Sequence, residues 1–350
     1  DTGNNFFFTP ENFIYDFNVN IISSRLRPGN PSRITFVVKN KGTLSAMSTL
    51  LLKFNSGMLH YQTSSITPWN ITSDSIIWSM PVLKPFEKLV VTADFIADTT
   101  IQNGDTAFFY SEIQPSGVSQ PDNYPSDNFD TTFSITTTSL DPNYKESNRP
   151  STIPITELDS NLSFKYIVHF QNIGNDTAFK VVIADTLPIN ADLSSFEWIG
   201  SSHNGIPYII EGNILVVQFK NILLPDSTTN ERESHGFIAY RIRPKLQLVP
   251  GDSIVNRADI YFDYNTPVKT NHSTSIFTIP AGITSPLAGY TQLLVYPNPV
   301  SKSIFVRTAD HALMQELTLF DFTGRKIENK INNEEEIVHF DRSERSNGVY

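Results

Sequence analysis

Short runs in which apolar and polar residues alternate dominate the chain, whereas helical periodicity is nearly absent. The clearest runs are residues 162–170 and 254–262, where every second side chain belongs to one face. A period of two is typical of a β-strand with one buried and one exposed face. Because the 22 Pro and 16 Gly fall mostly between such runs, the pattern predicts many short antiparallel strands joined by turns, as in β-sandwiches.

Three turn motifs occur twice in the same order, which predicts a tandem pair of related sandwiches. They are an Asn-x-Gly turn, a Leu-Pro-type corner and a Gly-Asp-hydroxyl turn, at Asn40–Gly42, Leu83–Pro85 and Gly104–Thr106 and again at Asn172–Gly174, Leu224–Pro225 and Gly251–Ser253. Since Asn and Gly tolerate left-handed backbone geometry, we expect a sharp turn after the strand at each Asn-x-Gly. Chance recurrence of common turn residues is the alternative.

The Pro- and Gly-containing stretches predict six segments. They are an upstream tail (1–14), a first sandwich (15–138), a linker (139–153), a second sandwich (154–279, with motifs starting at 141), a second linker (280–291) and a small C-terminal β-domain (292–350).

Three motifs mark the last segment. They are Tyr296-Pro297-Asn298-Pro299, Phe320-Asp-Phe-Thr-Gly324-Arg325 and Asn347-Gly348-Val-Tyr350. The prolines force extended or turn backbone, and Gly324 and Gly348 suit tight turns. In this order and spacing the segment resembles the C-terminal sorting domain of the type IX secretion system, an outer-membrane export route of one group of Gram-negative bacteria. A small all-β domain without a targeting role is the alternative.

This resemblance implies a location and a partner. The protein is expected to be exported through the periplasm to the outer-membrane surface or the extracellular space, with the type IX secretion machinery as its partner. Members of that family continue past the Gly-Val-Tyr motif, and export requires a signal peptide upstream. We therefore expect the 350 residues to be a fragment or a mature form.

The second repeat has a resemblance of its own. Its motifs are Asp141–Lys145, Phe170–Ala178, Val182–Leu187, Glu233–Phe237 and Ile260–Pro267. They resemble an Ig-like β-sandwich module that stands just before type IX sorting domains in large secreted proteins, and the likeness covers about 141–279. The resemblance implies an all-β chain with two tandem Ig-like antiparallel β-sandwiches and a small, β-sandwich-like sorting domain. The first repeat resembles this superfamily only loosely.

The composition limits the classes of ligand and the kinds of site that the protein can have. The chain has 26 Lys and Arg against 36 Asp and Glu, a net charge of −10, which argues against nucleic acid and anionic membranes as ligands. No apolar run reaches the roughly twenty residues of a membrane span. The absence of cysteine excludes disulfides, thiolate metal sites and cysteine nucleophiles.

Standard catalytic signatures are missing, so we predict that the chain is not an enzyme. His203 and His235, each near Ser and an acidic residue, are open to a hydrolase interpretation. We prefer the interpretation that they are loop or strand-end histidines hydrogen-bonded to backbone.

Two groups of oxygen-bearing side chains are weak calcium candidates, since calcium binds six to eight oxygens. They are Asp122 and Asp127 in one loop, and Asp259, Asp263 and Asn265 on or after one strand. Neither has EF-hand spacing, and Asp and Asn are also common turn formers. We therefore expect no cofactor.

Two further chemistries are considered. An isopeptide cross-link from Lys145 or Lys165 to Asn256, with an acidic neighbour, is one alternative, and it would lower the intact mass by one ammonia. We prefer solvated side chains. Sugar stacking on an exposed aromatic ring is the other, with Trp69 the best candidate, Trp198 a second and Trp78 expected in a core.

The favoured prediction is a non-catalytic stalk or spacer region of a large secreted or cell-surface protein, with a C-terminal signal for export and attachment. The alternatives are adhesin modules that bind glycan or protein, and the accessory tail of a secreted hydrolase whose catalytic domain lies upstream.

Overall fold

The computed structural model describes residues 10–138, 141–279, 293–296, 303–308, 313–320, 325–331 and 338–341. The chain divides into two compact units, Asp1–Ile279 and Pro280–Tyr350. Throughout the described ranges the regular structure is β-strand with short 3-10 helices, so the all-β prediction is confirmed. No helix in this part of the chain has the length and apolar character needed to cross a membrane.

The first half of the larger unit is a sandwich of two antiparallel sheets. Its strands are β1 Phe17–Ser23, β2 Pro31–Asn40, β3 Ala46–Phe54, β4 Leu59–Ser64, β5 Asn70–Ile71, β6 Ser75–Leu83, β7 Lys88–Ala97, β8 Thr106–Ser116 and β9 Phe129–Ile135, with a 3-10 helix at Pro125–Asp127. One sheet has the order β1-β2-β7-β4 and the other β5-β6-β3-β8-β9. Trp78 and Phe36, one from each sheet, meet in the core with ring centroids 5.5 Å apart.

The second half repeats this plan with one added sheet. Its strands are β10 Tyr144–Ser147, β11 Thr152–Pro154, β12 Phe164–Gln171, β13 Ala178–Thr186, β14 Ala191–Ser201, β15 Ile206–Ile210, β16 Ile214–Leu224, β17 His235–Pro244, β18 Ser253–Asn256, β19 Ala258–Phe262, β20 Val268–Lys269 and β21 Ser273–Thr278, with 3-10 helices at Ile155–Glu157 and Arg232–Ser234. The sheet orders are β10-β12-β17-β14, β15-β16-β13-β19-β20 and β11-β21-β18. Phe170 and Phe219 pack across the core at 5.5 Å.

The C-terminal unit has two small antiparallel sheets in its described residues. Its strands are β22 Leu293–Tyr296, β23 Ser303–Thr308, β24 Glu316–Phe320, β25 Lys326–Ile331 and β26 Val338–Asp341, ordered β22-β23-β26 and β24-β25. Val306, Val338 and Phe340 are buried.

The Asn-x-Gly turns make the same hydrogen bonds in both sandwiches. Asn40 Nδ2 donates to Leu44 O and Leu83 O, and its Oδ1 accepts from Gly42 N. Asn172 Nδ2 donates to Asp176 O and Leu224 O, and its Oδ1 accepts from Gly174 N. Each Asn thus ties its turn to the Leu-Pro-type corner, which shows that the repeat is structural.

The glycine of this turn is required for a reason that differs from the predicted one. Gly42 does not have positive φ, so left-handed geometry does not explain it. A Cβ on Gly42 would lie 2.5 Å from Ile14 O and 2.7 Å from Asp16 N, so close backbone approach excludes a side chain. Positive φ occurs instead in the Gly-Asp turns, at Gly104 (94°) and Gly251 (98°).

The two alternating runs have different outcomes. β12, predicted to be half-buried, is buried at every position, because its outer face is covered by the first sandwich. In residues 254–262 the inner positions Ile254, Ala258 and Ile260 are buried as predicted. The chain nevertheless leaves one sheet after β18 and enters another at β19. The predicted linker 139–153 contains β10 and the start of β11, which pair with strands of the second half.

Candidate functional site

The junction between the two sandwiches is built on an apolar cluster to which both contribute. The first sandwich supplies Ile22 and Val37 from β1 and β2, and the second supplies Ile167, Ile199, Phe237 and Ala239 from β12, β14 and β17. Gly200 beside it is close enough that an added Cβ would lie 3.3 Å from Val37 Cγ1. The outer faces of two sheets therefore form a packed interface.

Polar side chains that are buried or half-buried extend this interface on one side. Lys39 Nζ donates to Trp198 O at 2.7 Å, and burial lowers the pKa of Lys39. Arg241 Nη2 donates to Asn20 Oδ1 at 2.9 Å. Since each bond joins one sandwich to the other, these contacts define the relative orientation as well as holding the halves together.

Two more cations connect the halves. Lys165 Nζ, on β12, lies 2.5 Å from Asp130 Oδ2 and donates to Ile21 O at 3.3 Å. Arg33 contacts Asp94 of its own sandwich at 2.7 Å and Glu233 of the other at 3.1 Å. The Lys165–Asp130 pair is the more buried of the two contacts between the halves, with side chains 3% and 18% exposed, so water screens it less than the Arg33–Glu233 pair, in which Glu233 is 52% exposed.

A cleft of about 210 Å³ opens beside the junction. Among the side chains that line it are His169, His203, His235 and Glu231, together with several arginines. His169 Nε2 lies 2.9 Å from Glu146 Oε1, and His235 Nε2 lies 3.1 Å from Glu231 Oε1. The contact with His235 lowers the pKa of the Glu231 carboxyl.

His203 does not form the predicted backbone hydrogen bond through its ring. Its Nδ1 lies 2.9 Å from Ser202 Oγ, and Ser202 Oγ accepts from Phe237 N at 2.9 Å. Burial lowers the pKa of His203, against the opposing effect of Glu233 and with a smaller effect of Arg33 in the same direction as burial. The ring is thus favoured in its neutral form, with its neighbouring hydroxyl already bonded to backbone.

Three of the four carboxylate oxygens of the first calcium candidates accept from protein donors, whereas Asp127 Oδ1 is buried without a donor among the described residues. Asp122 Oδ2 accepts from Phe17 N at 2.7 Å, and its Oδ1 accepts from Tyr124 N at 2.9 Å. Asp127 Oδ2 pairs with Lys41 Nζ at 2.7 Å. These carboxylates hold the loop before β9 against β1 and the Lys41 turn.

The second calcium candidates lie around the end of β19. Asp263 Oδ1 accepts from Phe179 N and Lys180 N, Asp259 lies 3.8 Å from Arg257, and Asn265 N donates to Phe262 O. Across the ranges that the structure describes, no three His, Cys, Asp or Glu side chains are grouped so as to hold a metal ion.

Lys145 and Asn256, predicted to be solvated, are buried in the core of the second sandwich. Lys145 Nζ contacts Asp185 Oδ2 and donates to Tyr240 OH at 3.0 Å. Asn256 Nδ2 donates to the same hydroxyl at 2.7 Å. Sequence reasoning missed Asp185 and Tyr240, although a lone Asp at the end of the apolar run Val181–Ala184 was a visible signal.

The tryptophans and the sorting motif complete the list of candidates. Trp78 is fully buried as predicted, and Trp69 is 75% exposed. Trp198 is partly buried against the second core. Of the sorting motif, Tyr296 ends β22, while Pro297, Asn298, Pro299, Gly324 and Gly348 lie outside the described residues.

Two family models match the chain. A domain of unknown function (DUF7619) matches residues 141–276, and a secretion system C-terminal sorting domain matches residues 294–350. Among curated proteins, none matches the sequence.

Solved structures show only distant similarity. The MSCRAMM ACE of Enterococcus faecalis is 12% identical with a TM-score of 0.28, over 76% of this chain and 96% of that one. The collagen adhesin CNA of S. aureus is 11% identical with a TM-score of 0.26, over 76% and 93%. A ScaB type I cohesin of Pseudobacteroides cellulosolvens is 8% identical with a TM-score of 0.28, over 36% and 95%. Similarity at this level carries no information on ligands.

The C-terminal motifs, the strands of the last unit and the match over residues 294–350 agree on one assignment. Residues 294–350 match a secretion system C-terminal sorting domain, and this domain indicates export by the type IX route to the cell surface or the extracellular space.

Proposed function

We propose that the two sandwiches act as one rigid, non-catalytic spacer in an exported surface protein. The observation that carries this proposal is the buried junction between them, with its apolar cluster and the hydrogen bonds around it. Two domains that share only a flexible linker would vary in orientation. A packed, hydrogen-bonded interface keeps them at one orientation. A spacer needs this to hold a fixed end-to-end distance.

Spin-label distances test the rigidity. The chain has no cysteine, so exposed Ser56 and Gln247, one on each sandwich, can be changed to Cys and labelled without removing a natural thiol. Double electron–electron resonance is expected to give a single narrow distance distribution. A broad distribution in the otherwise unaltered chain would contradict the spacer proposal.

A matched pair of isoleucines provides the control. Ile199→Asp places a carboxylate in the buried junction and is expected to broaden the distribution, because an unpaired buried charge is costly. Ile189→Asp alters a side chain that is 83% exposed, and is expected to leave the distribution narrow. Equal behaviour of the two variants would show that the junction does not determine the orientation.

A ligand-binding role is the second candidate, favoured by the cleft beside the junction. Arg25, Arg27, Arg33 and Arg232 line it in a chain whose net charge is −10. Asp94, Glu231 and Glu233 also line the cleft, so four arginines against three carboxylates leave an excess of one positive charge, which supports an anionic ligand such as an acidic glycan or protein segment. Binding of the full chain to arrayed acidic glycans, weakened by added salt, would support this role, and clean failure on glycan and protein arrays would remove it.

A further inference from the structure

A lysine and a carboxylate share the fully buried core of the second sandwich. The side chains of Lys145 and Asp185 are both 0% exposed, and Asn256 beside them is 2% exposed. The three residues come from β10, β13 and β18, so the cluster joins strands from three sheets. Burying an ion pair costs several kcal/mol per ion before their attraction is counted, so its presence in a core requires a reason.

The Tyr240 hydroxyl brings the three side chains together. It accepts from Lys145 Nζ at 3.0 Å and from Asn256 Nδ2 at 2.7 Å, and donates to Asp185 Oδ2 at 2.9 Å. Lys145 Nζ also contacts Asp185 Oδ2 directly. Lys145 Nζ and Asn256 Nδ2 bond the same Tyr240 oxygen, so these two atoms are separated by no more than the sum of those two hydrogen-bond lengths.

Two oxygens of this cluster have no donor among the described residues. They are Asp185 Oδ1 and Asn256 Oδ1, both buried. Buried polar atoms are nearly always paired, and two acceptors cannot satisfy each other. A proton on Asp185 would change this, because a protonated carboxyl can donate to the Asn256 carbonyl oxygen.

We propose that Lys145 and Asn256 form an intramolecular isopeptide bond, with Asp185 as the group that transfers the proton. The uncharged Nζ attacks Asn256 Cγ while protonated Asp185 polarises the carbonyl. The Nζ–Cγ bond forms, one Nζ proton passes through Asp185 to Nδ2, and the Cγ–Nδ2 bond breaks. Ammonia leaves, Asp185 ends protonated as it began, and no oxidant or cofactor is consumed.

The buried environment favours the uncharged amine that this step requires. Only an uncharged amine is nucleophilic, and burial lowers the pKa of Lys145 to about 8, against the opposing effect of Asp185. Asp185 and Tyr240 hold the amine in a fully buried site, where the reacting groups have few alternative positions. Transfer of a proton from Lys145 to Asp185 gives the uncharged amine and removes the buried charge pair, and the product of the attack is a neutral amide.

The bond would have a mechanical consequence. β10 is the first strand of the second half and β18 is close to its end. A covalent link between them closes most of this sandwich into a loop and restricts its unfolded state, as a disulfide does. In a chain without cysteine, this is a route to the same stabilisation, and it does not depend on the spacer role.

Intact mass of the purified full chain tests the proposal. The unaltered chain is expected to be lighter than its sequence by one ammonia, whereas Lys145→Met and Asp185→Asn should each have the mass of their sequence. Lys165→Met is the matched control, because Lys165 is also buried (2% exposed), but its Nζ contacts Asp130 and the Ile21 carbonyl and not the cluster around Tyr240. It is expected to keep the mass loss.

Peptide mapping of the unaltered chain shows directly whether the bond is present, so this test holds even if a variant fails to fold. Trypsin should release residues 246–257, bounded by Lys245 and Arg257, attached to the peptide that contains Lys145, with no cleavage after Lys145. A folded, unaltered chain at its sequence mass would overturn the proposal. So would an ammonia loss with peptide 246–257 linear, and ammonia loss in Asp185→Asn would overturn the role of Asp185.

Discussion

At the scale of single residues, buried amides hold the turns of this protein in place. Asn40 and Asn172 occupy equivalent positions and each bonds one strand end to a corner far along the chain. An Asn side chain suits this role because it combines a carbonyl acceptor with an amide donor of two protons. The motif was visible in the sequence, but its long-range partner was not.

Asn172→Ala is expected to destabilise the second sandwich by about 2–4 kcal/mol, since it leaves the buried Leu224 carbonyl and the Gly174 N–H unpaired. Urea unfolding followed by fluorescence measures the loss. Asn30→Ala is the control, because Asn30 makes one exposed bond, to Pro28 O at 2.9 Å, and should cost under about 1 kcal/mol. Equal losses for the two variants would show that the turn amide is not important for stability.

At the scale of elements, packing between the sandwiches buries a strand face that the sequence pattern alone predicts to be exposed. β12 keeps the alternating pattern of a half-buried strand, yet Lys165, Ile167 and His169 on its outer face are buried. They contact the first sandwich or lie at the cleft. Alternation in sequence reports which residues share a face, and it cannot report that another domain covers the polar one.

We expect His203 in the cleft to make the thermal stability of the folded chain depend on pH. Burial lowers the folded-state pKa of His203 below its unfolded value of about 6.5. The folded state thus favours the neutral ring, and this contribution is present above the unfolded pKa and is lost as pH falls through the folded one. We expect the melting temperature to drop between about pH 7 and pH 5, and less so in His203→Gln.

Calorimetry across that pH range measures the difference. His60→Gln is the control, because His60 is exposed (54%) and lies on the first sandwich, paired with Asp98. It should keep the pH dependence associated with His203. If His203→Gln has the same slope as the unaltered chain, the cleft histidine is not its source.

At the scale of the whole molecule, export and folding belong to different parts of the chain. The two large cores draw their buried residues from within 17–113 and 153–277, and the sorting domain matches 294–350. Removing the sorting domain should therefore leave the sandwiches folded.

Deletion of residues 292–350 is expected to give a chain that folds but does not reach the cell surface. Cell fractionation and surface protease accessibility measure delivery, and circular dichroism of the purified protein measures folding. Deletion of residues 1–9 leaves the sorting domain in place and serves as the control. Normal surface delivery of the chain without 292–350 would contradict its sorting role.

Local patterns determined much of this protein. Period-two runs and turn motifs predicted the all-β class and the tandem repeat, and the terminal motifs predicted the export route, because each is encoded by residues close together in sequence. Only the tertiary structure showed the junction and the cluster of Lys145, Asp185, Tyr240 and Asn256. These side chains come from four strands spread across residues 145–256. Their meeting depends on sheet order and domain packing, which alternation alone leaves open.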